Sequence, residues 1–325
     1  MKAFALSILV AFFLTAQAQK EPFKFGTVPI KDLEMSVYDK DSSAEAVILA
    51  DFGKSSINYN QSKGFQLIFE RKIRLKILRK EGLDWANFEI PLYNDGSGSS
   101  EKASGIKGIT YNLVDGKIIE TKLSSDGKFR EQRDEHFDVV KITLPDVREG
   151  SVIDFSYNIL SDFLFNFQDW SFQSTIPTIR SEYYANIPEY FIYDKFMQGY
   201  VILSKVESTT SQQSIKLSSF ERSGGNVTSS SHETSNIPYT ENNHKWIAEN
   251  VPAFRREPFI TTPKDYISRI NFELATINFP NKPPQQIMGT WTEINENYFE
   301  SLAKEINANG FLKNTVEGLI ANLET

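Results

Sequence analysis

The chain has 325 residues, no cysteine, and an acidic balance of 35 basic against 42 acidic side chains. The lack of cysteine excludes disulfides, thiol nucleophiles and thiolate metal ligands. The acidic charge argues against a nucleic-acid partner, which asks for a basic face, and a chain of this length can bury a proper core without cross-links.

The N-terminus has a single early cation, Lys2, then an apolar run over residues 3–14, then Ala16-Gln17-Ala18 ahead of Gln19. That is the pattern of a secretory signal peptide. The run is shorter than the ~20 residues that span a bilayer. Residues 1–18 are therefore expected to be removed during export to the periplasm or cell surface. The mature chain would begin near Gln19 and would not span the membrane.

From residue 46 to about 279 the sequence reads as strands and turns, and the chain's 25 Phe and 13 Tyr suit half-buried strand faces. Phe65-Gln66-Leu67-Ile68-Phe69 leads into Ile73-Arg74-Leu75-Lys76-Ile77, which alternates with period two and predicts a strand with one wet face. Trp85, Phe88 and Ile90 continue the strand pattern to Pro91. Residues 109–114, then Asp115-Gly116, then Lys117-Ile118-Ile119 predict a hairpin, because Asp-Gly supplies the positive φ angles of a type I′ turn. Residues 139–144 and 152–157 are two more strands, the second entered through Glu149-Gly150.

Phe163, Phe165, Phe167, Trp170 and Phe172 form an aromatic stripe. Its spacing fits a packed strand face better than a platform for stacking sugars or peptides. Of residues 207–236, 14 are Ser or Thr, with Gly224-Gly225 in the middle. A polar hairpin fits this better than a linker, since Ile215, Leu217 and Phe220 keep an apolar side. Asn226-Val227-Thr228 has the form of a glycosylation acceptor.

The period changes near the end. Thr290-Trp291-Thr292-Glu293 fits a capping box, and Trp291, Ile294, Tyr298, Leu302 and Ile306 recur at helical spacing up to a stop at Asn309-Gly310. A second helix carries Leu312, Val316, Leu319, Ile320 and Leu323. Such apolar faces must be covered, by the β body or by a following domain.

Catalytic signals are few. The histidines are His136, His232 and His244, and no nucleophile elbow, phosphate loop or dinucleotide fingerprint is present. Asp134-Glu135-His136-Phe137-Asp138 is the best candidate acid/base or metal cluster, against a plain reading as a solvated loop. Asp39-Lys40-Asp41-Ser42-Ser43 has calcium-like alternation but lacks the turn glycine and the closing glutamate. His232-Glu233 lacks the second histidine of a zinc helix. No catalytic residue, metal ligand or cofactor site is assigned. Pro252, Pro258 and Pro263 stiffen a strap over residues 249–263, in which Arg255 and Arg256 either bind a carboxylate or sugar acid or pair with surface acids.

One series of motifs is more specific. Leu144-Pro145-Asp146-Val147-Arg148-Glu149-Gly150-Ser151-Val152-Ile153-Asp154-Phe155-Ser156-Tyr157 is followed by Gln168-Asp169-Trp170 and Ile187-Pro188-Glu189-Tyr190. Then come Glu249-Asn250-Val251-Pro252-Ala253-Phe254, Glu257-Pro258-Phe259-Ile260 and Tyr266-Ile267-Ser268-Arg269-Ile270-Asn271-Phe272. Over about residues 46–279 this resembles a Bacteroidetes-type exported family of unknown function that precedes transglutaminase-like domains. The resemblance implies a mainly β fold, an immunoglobulin-like β-sandwich over residues 19–280. Residues 281–325 would be a short C-terminal α-helical segment resembling the start of a transglutaminase-like core, truncated before its catalytic triad. The expected role is a non-catalytic module that positions such a domain or its substrate. The alternatives are a stand-alone carbohydrate- or peptide-binding module, and a hydrolase centred on His136. Trp170, Arg255 and Arg256 are the candidate binding residues.

Overall fold

The computed structural model describes residues 21–222, 230–289, 291–306 and 310–321. The signal-peptide segment, Gly224-Gly225 and the Asn226 motif lie outside these residues.

The chain is mainly β. After a short helix α1 (Ile30–Glu34) come β1 (Ala46–Asn60), β2 (Gly64–Ile77), β3 (Asn87–Tyr93), β4 (Lys102–Val114) and β5 (Lys117–Lys122). These are followed by β6 (Lys128–Gln132), β7 (Phe137–Thr143), β8 (Val152–Ser161), β9 (Trp170–Ser171), β10 (Thr178–Pro188) and β11 (Phe191–Gln198). The last strands are β12 (Lys205–Arg222), β13 (Ser230–Val251), β14 (Arg269–Ile277) and β15 (Gln285–Gln286), before helices α2 (Trp291–Ile306) and α3 (Gly310–Ala321).

Eight strands form one sheet in the order β12-β13-β10-β1-β2-β8-β4-β5. Its pairs are antiparallel except β1 with β10, which run parallel. Two smaller sheets, β3-β7-β6 and β11-β14-β15 with β9 on β14, cover one face. The packing across the layers is aromatic. Phe88 of β3 stacks on Phe155 of β8 at 4.1 Å between ring centroids. Phe272 of β14 meets Tyr183 of β10 and Trp246 of β13 at 5.8 Å each.

The alternation in β2 decides both faces of the large sheet. Leu67, Phe69, Ile73, Leu75 and Ile77 enter the main core. Arg74 and Lys76 point the other way, yet that face is not wet: both are buried. Residues 23–38 lie across it, and Leu33 with Phe25 and Val28 packs on Ile109, Tyr111 and Val152. The cations are tolerated there because each finds acceptors. Arg74 pairs with Asp154, and Lys76 Nζ donates to the carbonyls of Leu33 at 2.6 Å and Gly150 at 2.7 Å.

The Asp115-Gly116 hairpin is present, with φ of 49° and 74°. Trp85 departs from the strand pattern, because a 3₁₀ turn over Lys80–Ala86 precedes β3. The polar hairpin is β12 paired with β13 from Lys205↔Ile247 to Arg222↔Ser230. As the outermost strand, β12 leaves backbone groups unpaired. Gln61, in the β1–β2 turn, covers one position: its amide donates to the Ser218 carbonyl and accepts from the Ser218 N–H at 3.3 Å. Gly310 opens α3 rather than closing α2.

Candidate binding cleft

The strap begins where β13 ends. Asn250 takes a positive φ of 54°, a conformation Asn tolerates better than most residues, and Pro252 then prevents further ladder pairing. The segment is tied down from below. Phe254 N–H donates to the Ser174 carbonyl at 2.8 Å, and Gln173 Nε2 donates to the Pro252 carbonyl at 3.1 Å. Arg255 Nη2 donates to Asp41 Oδ2 at 2.9 Å and to Ser43 Oγ at 3.1 Å.

Opposite the strap is the loop after β11. Gly199 has φ 85°, and a Cβ there would meet Ser268 at 2.2 Å, so the close approach requires glycine. Ser268 Oγ accepts from Val201 N–H at 2.9 Å. Gln198 Nε2 donates to the Lys264 carbonyl at 2.6 Å. These bonds leave a cleft of about 610 Å³ between loop and strap, lined by Tyr200, Ile202, Val251, Phe254, Ile260 and Tyr266 on its apolar side. Phe254 and Tyr266 stack at 6.3 Å. Tyr200 is 93% exposed and Ile202 89% exposed, so two large apolar side chains stand in water at the mouth. Gln173, Glu249, Arg255 and Glu257 supply the polar lining.

Of the expected binding residues, Arg255 belongs to this cleft. Its partner Asp41 is held below the usual carboxylate range by the Ser43 hydroxyl first, then by the Ser43 N–H and Arg255. The alternating oxygens of residues 39–43 thus serve to anchor the strap. Arg256 is exposed on the same strap.

Trp170 does not offer a stacking face. It is 3% exposed, parallel to Tyr183 at 5.2 Å on one side, and has the Arg71 guanidinium 5.3 Å from its ring centroid. Its indole N–H donates to Ser181 Oγ at 2.9 Å. Phe167, Trp170 and Phe172 are buried, although only Trp170 lies in a strand, while Phe165 remains 53% exposed.

The 134–138 cluster spans the β6–β7 turn and the first two residues of β7. Asp134 Oδ1 accepts the His136 N–H at 3.0 Å, Arg130 pairs with Asp138 at 2.6 Å, and the His136 ring stacks on Tyr93. No carboxylate set converges on the imidazole, and among the described residues no group of three metal-ligating side chains forms. His244 Nδ1 lies 2.8 Å from Ser208 Oγ and stacks on Trp246. Burial, then Lys195, lowers its pKa to about 4, so the ring is neutral at physiological pH.

The sequence reading does not single out Tyr200, Ile202 or Tyr266 as cleft residues. The signal for Tyr200 and Ile202 is a short apolar group between Gly199 and Ser204 that belongs to neither flanking strand pattern.

No family model matches the chain, and no curated protein matches it. Among solved structures, one described as a "putative protease" from Parabacteroides distasonis is 14% identical, with 73% of this chain and 41% of that chain covered and a TM-score of 0.48. The chain thus spans about 41% of that protein's length. An acetylcholine-binding protein from Bulinus truncatus is 9% identical over 68% of this chain and 97% of that chain, with a TM-score of 0.12. Neither likeness bears on function.

Proposed function

We propose that the chain is an exported, non-catalytic β module that works by binding, and that the cleft under the strap holds an extended peptide segment. The segment would come from a transglutaminase-like catalytic partner or from that partner's substrate. The observation that carries this reading is the mouth of the cleft, where Tyr200 and Ile202 are almost fully exposed above an apolar-lined cavity of about 610 Å³. That volume lies within the roughly 300–1,000 Å³ of ligand pockets. An apolar side chain would fill the cleft, and a carboxylate would reach Arg255 or Arg256 on the strap.

The immunoglobulin-like sandwich remains our reading of the layered sheets, and export with cleavage before Gln19 remains our reading of residues 1–18. The helices are compatible with a further packing partner. Phe299 and Leu302 of α2, and Val316 and Leu319 of α3, are exposed.

Selection of a random-peptide display library on the full exported chain tests the proposal. Peptides with a bulky apolar residue near an acidic one are expected, and Ile202→Asp should abolish their capture. Selection of no peptide class, or capture indifferent to Ile202→Asp, would refute it.

A further inference from the structure

A second cavity, of about 270 Å³, lies on the covered face of the large sheet, where residues of β1, β2, β3 and the 171–174 segment meet. It differs from the cleft in chemistry. Its lining includes a charged pair: Arg71 Nε donates to Asp51 Oδ1 at 3.0 Å and Nη2 to Asp51 Oδ2 at 2.7 Å. The Asp51 side chain is 5% exposed and that of Arg71 35%, so the carboxylate is the more deeply covered member of the pair. Trp170 beneath the guanidinium fixes its plane.

Three features define the ligand. The first is charge. Asp51 and Arg71 cancel, and Glu89 stands exposed in the lining. Glu89 therefore opposes an anion, and a hydroxyl, which can donate to its carboxylate, meets no such penalty. The second is the remaining polar lining, which is also neutral: Asn87, Gln173, Ser174 and Ser181.

The third is the wall. Trp85 and Phe88 supply aromatic surface, and both are held in place. Trp85 Nε1 donates to Glu45 Oε1 at 3.1 Å, and Phe88 stacks on Phe155. A rigid aromatic wall facing neutral polar groups fits a ring with an apolar C–H face and a hydroxyl edge. The volume is just below the roughly 300 Å³ lower bound for pockets of drug-sized ligands, which suits a single ring.

We infer that this cavity is a binding site for one neutral pyranose sugar ring. The cavity shares Gln173 with the peptide cleft, so the two readings are separated by Ile202→Asp, which should abolish peptide capture and leave sugar binding unchanged.

The test is saturation-transfer NMR for sugar binding, with protein-observed amide and indole correlation spectra of the full chain. The probes are D-glucose, D-galactose, D-mannose and N-acetyl-D-glucosamine, with D-glucuronate and D-glucosamine as charged controls. At least one neutral sugar is expected to bind and to shift the Trp85 indole N–H resonance. Ser174→Phe, which puts a bulky side chain into the lining, should weaken binding about tenfold or more. Arg71→Lys, which keeps the charge and loses the planar fork, should weaken it similarly. Binding by none of the four neutral sugars, stronger binding of glucuronate or glucosamine, or binding unaffected by Ser174→Phe would each overturn the inference.

Discussion

The guanidinium of Arg74 grips the carboxylate of Asp154 through two bonds, Nε to Oδ1 at 2.7 Å and Nη2 to Oδ2 at 2.8 Å, beneath the N-terminal segment. The pair also holds that segment. Asp154 Oδ2 accepts the Gly26 N–H at 3.0 Å, and Arg74 Nη2 donates to the Thr27 carbonyl at 2.8 Å. Removing one member leaves the other charge buried without its partner, which costs about 3–5 kcal/mol. Asp154→Ala should therefore lose stability of that order in urea unfolding and expose residues 23–34 to early proteolysis. The double variant Arg74→Met, Asp154→Leu should recover most of the stability.

Lys76 gives a signed pH prediction. Burial lowers its pKa from 10.5 to about 8, with Asp32 opposing. Between pH 8 and 10.5 the unfolded chain then binds more protons than the folded one, so stability rises with pH across that window, by up to about 3 kcal/mol. The buried tyrosines, whose pKa values are raised, act in the opposite direction above pH 10. The urea midpoint should thus climb from pH 8 to 10, and Lys76→Met should remove the slope.

His244 acts at the acid end. Its folded pKa of about 4 against 6.5 means that its contribution is complete above pH 6.5 and is lost as pH falls towards 4. Its imidazole proton resonances should not titrate between pH 5 and 7. A midpoint near 6.5 would mean that the ring is solvated.

Trp170 lies directly on the backbone of Gly53. A Cβ on residue 53 would fall 2.2 Å from the indole, and the ring is held by Tyr183 and Ser181. Gly53→Ala should cost about 1–3 kcal/mol through overpacking, with a shift of tryptophan fluorescence as the local readout.

Much of the strand content was legible because period-two alternation and turn residues are local signals. Asp115-Gly116 and Glu149-Gly150 fall where the turns fall, and Gly150 has φ 87°. The parallel pairing of β1 with β10 was not legible, since residues 48 and 178 are far apart in sequence and no periodicity encodes a partner. The dry face of β2 was misread for a related reason. Alternating Arg74 and Lys76 look solvated until residues 23–38 supply the cover. The site was legible only in part. The prolines and Arg255 marked the strap, but Tyr200 and Ile202 gain meaning only from what stands opposite them.

Among the described residues, the terminal helices contribute none to the hydrophobic clusters of the β body. Removing residues 287–325 should therefore leave the melting temperature of the β body unchanged in differential scanning calorimetry. A large drop would place the helices in its core.

The central claim is that this protein binds through the cleft between its strap and the loop after β11. Amide hydrogen exchange of the full chain, with and without the peptides selected from the display library, tests it most directly. The account predicts slowed exchange in residues 199–204 and 249–268. Protection confined to the helices or to the β5 edge, or none at all, would contradict it.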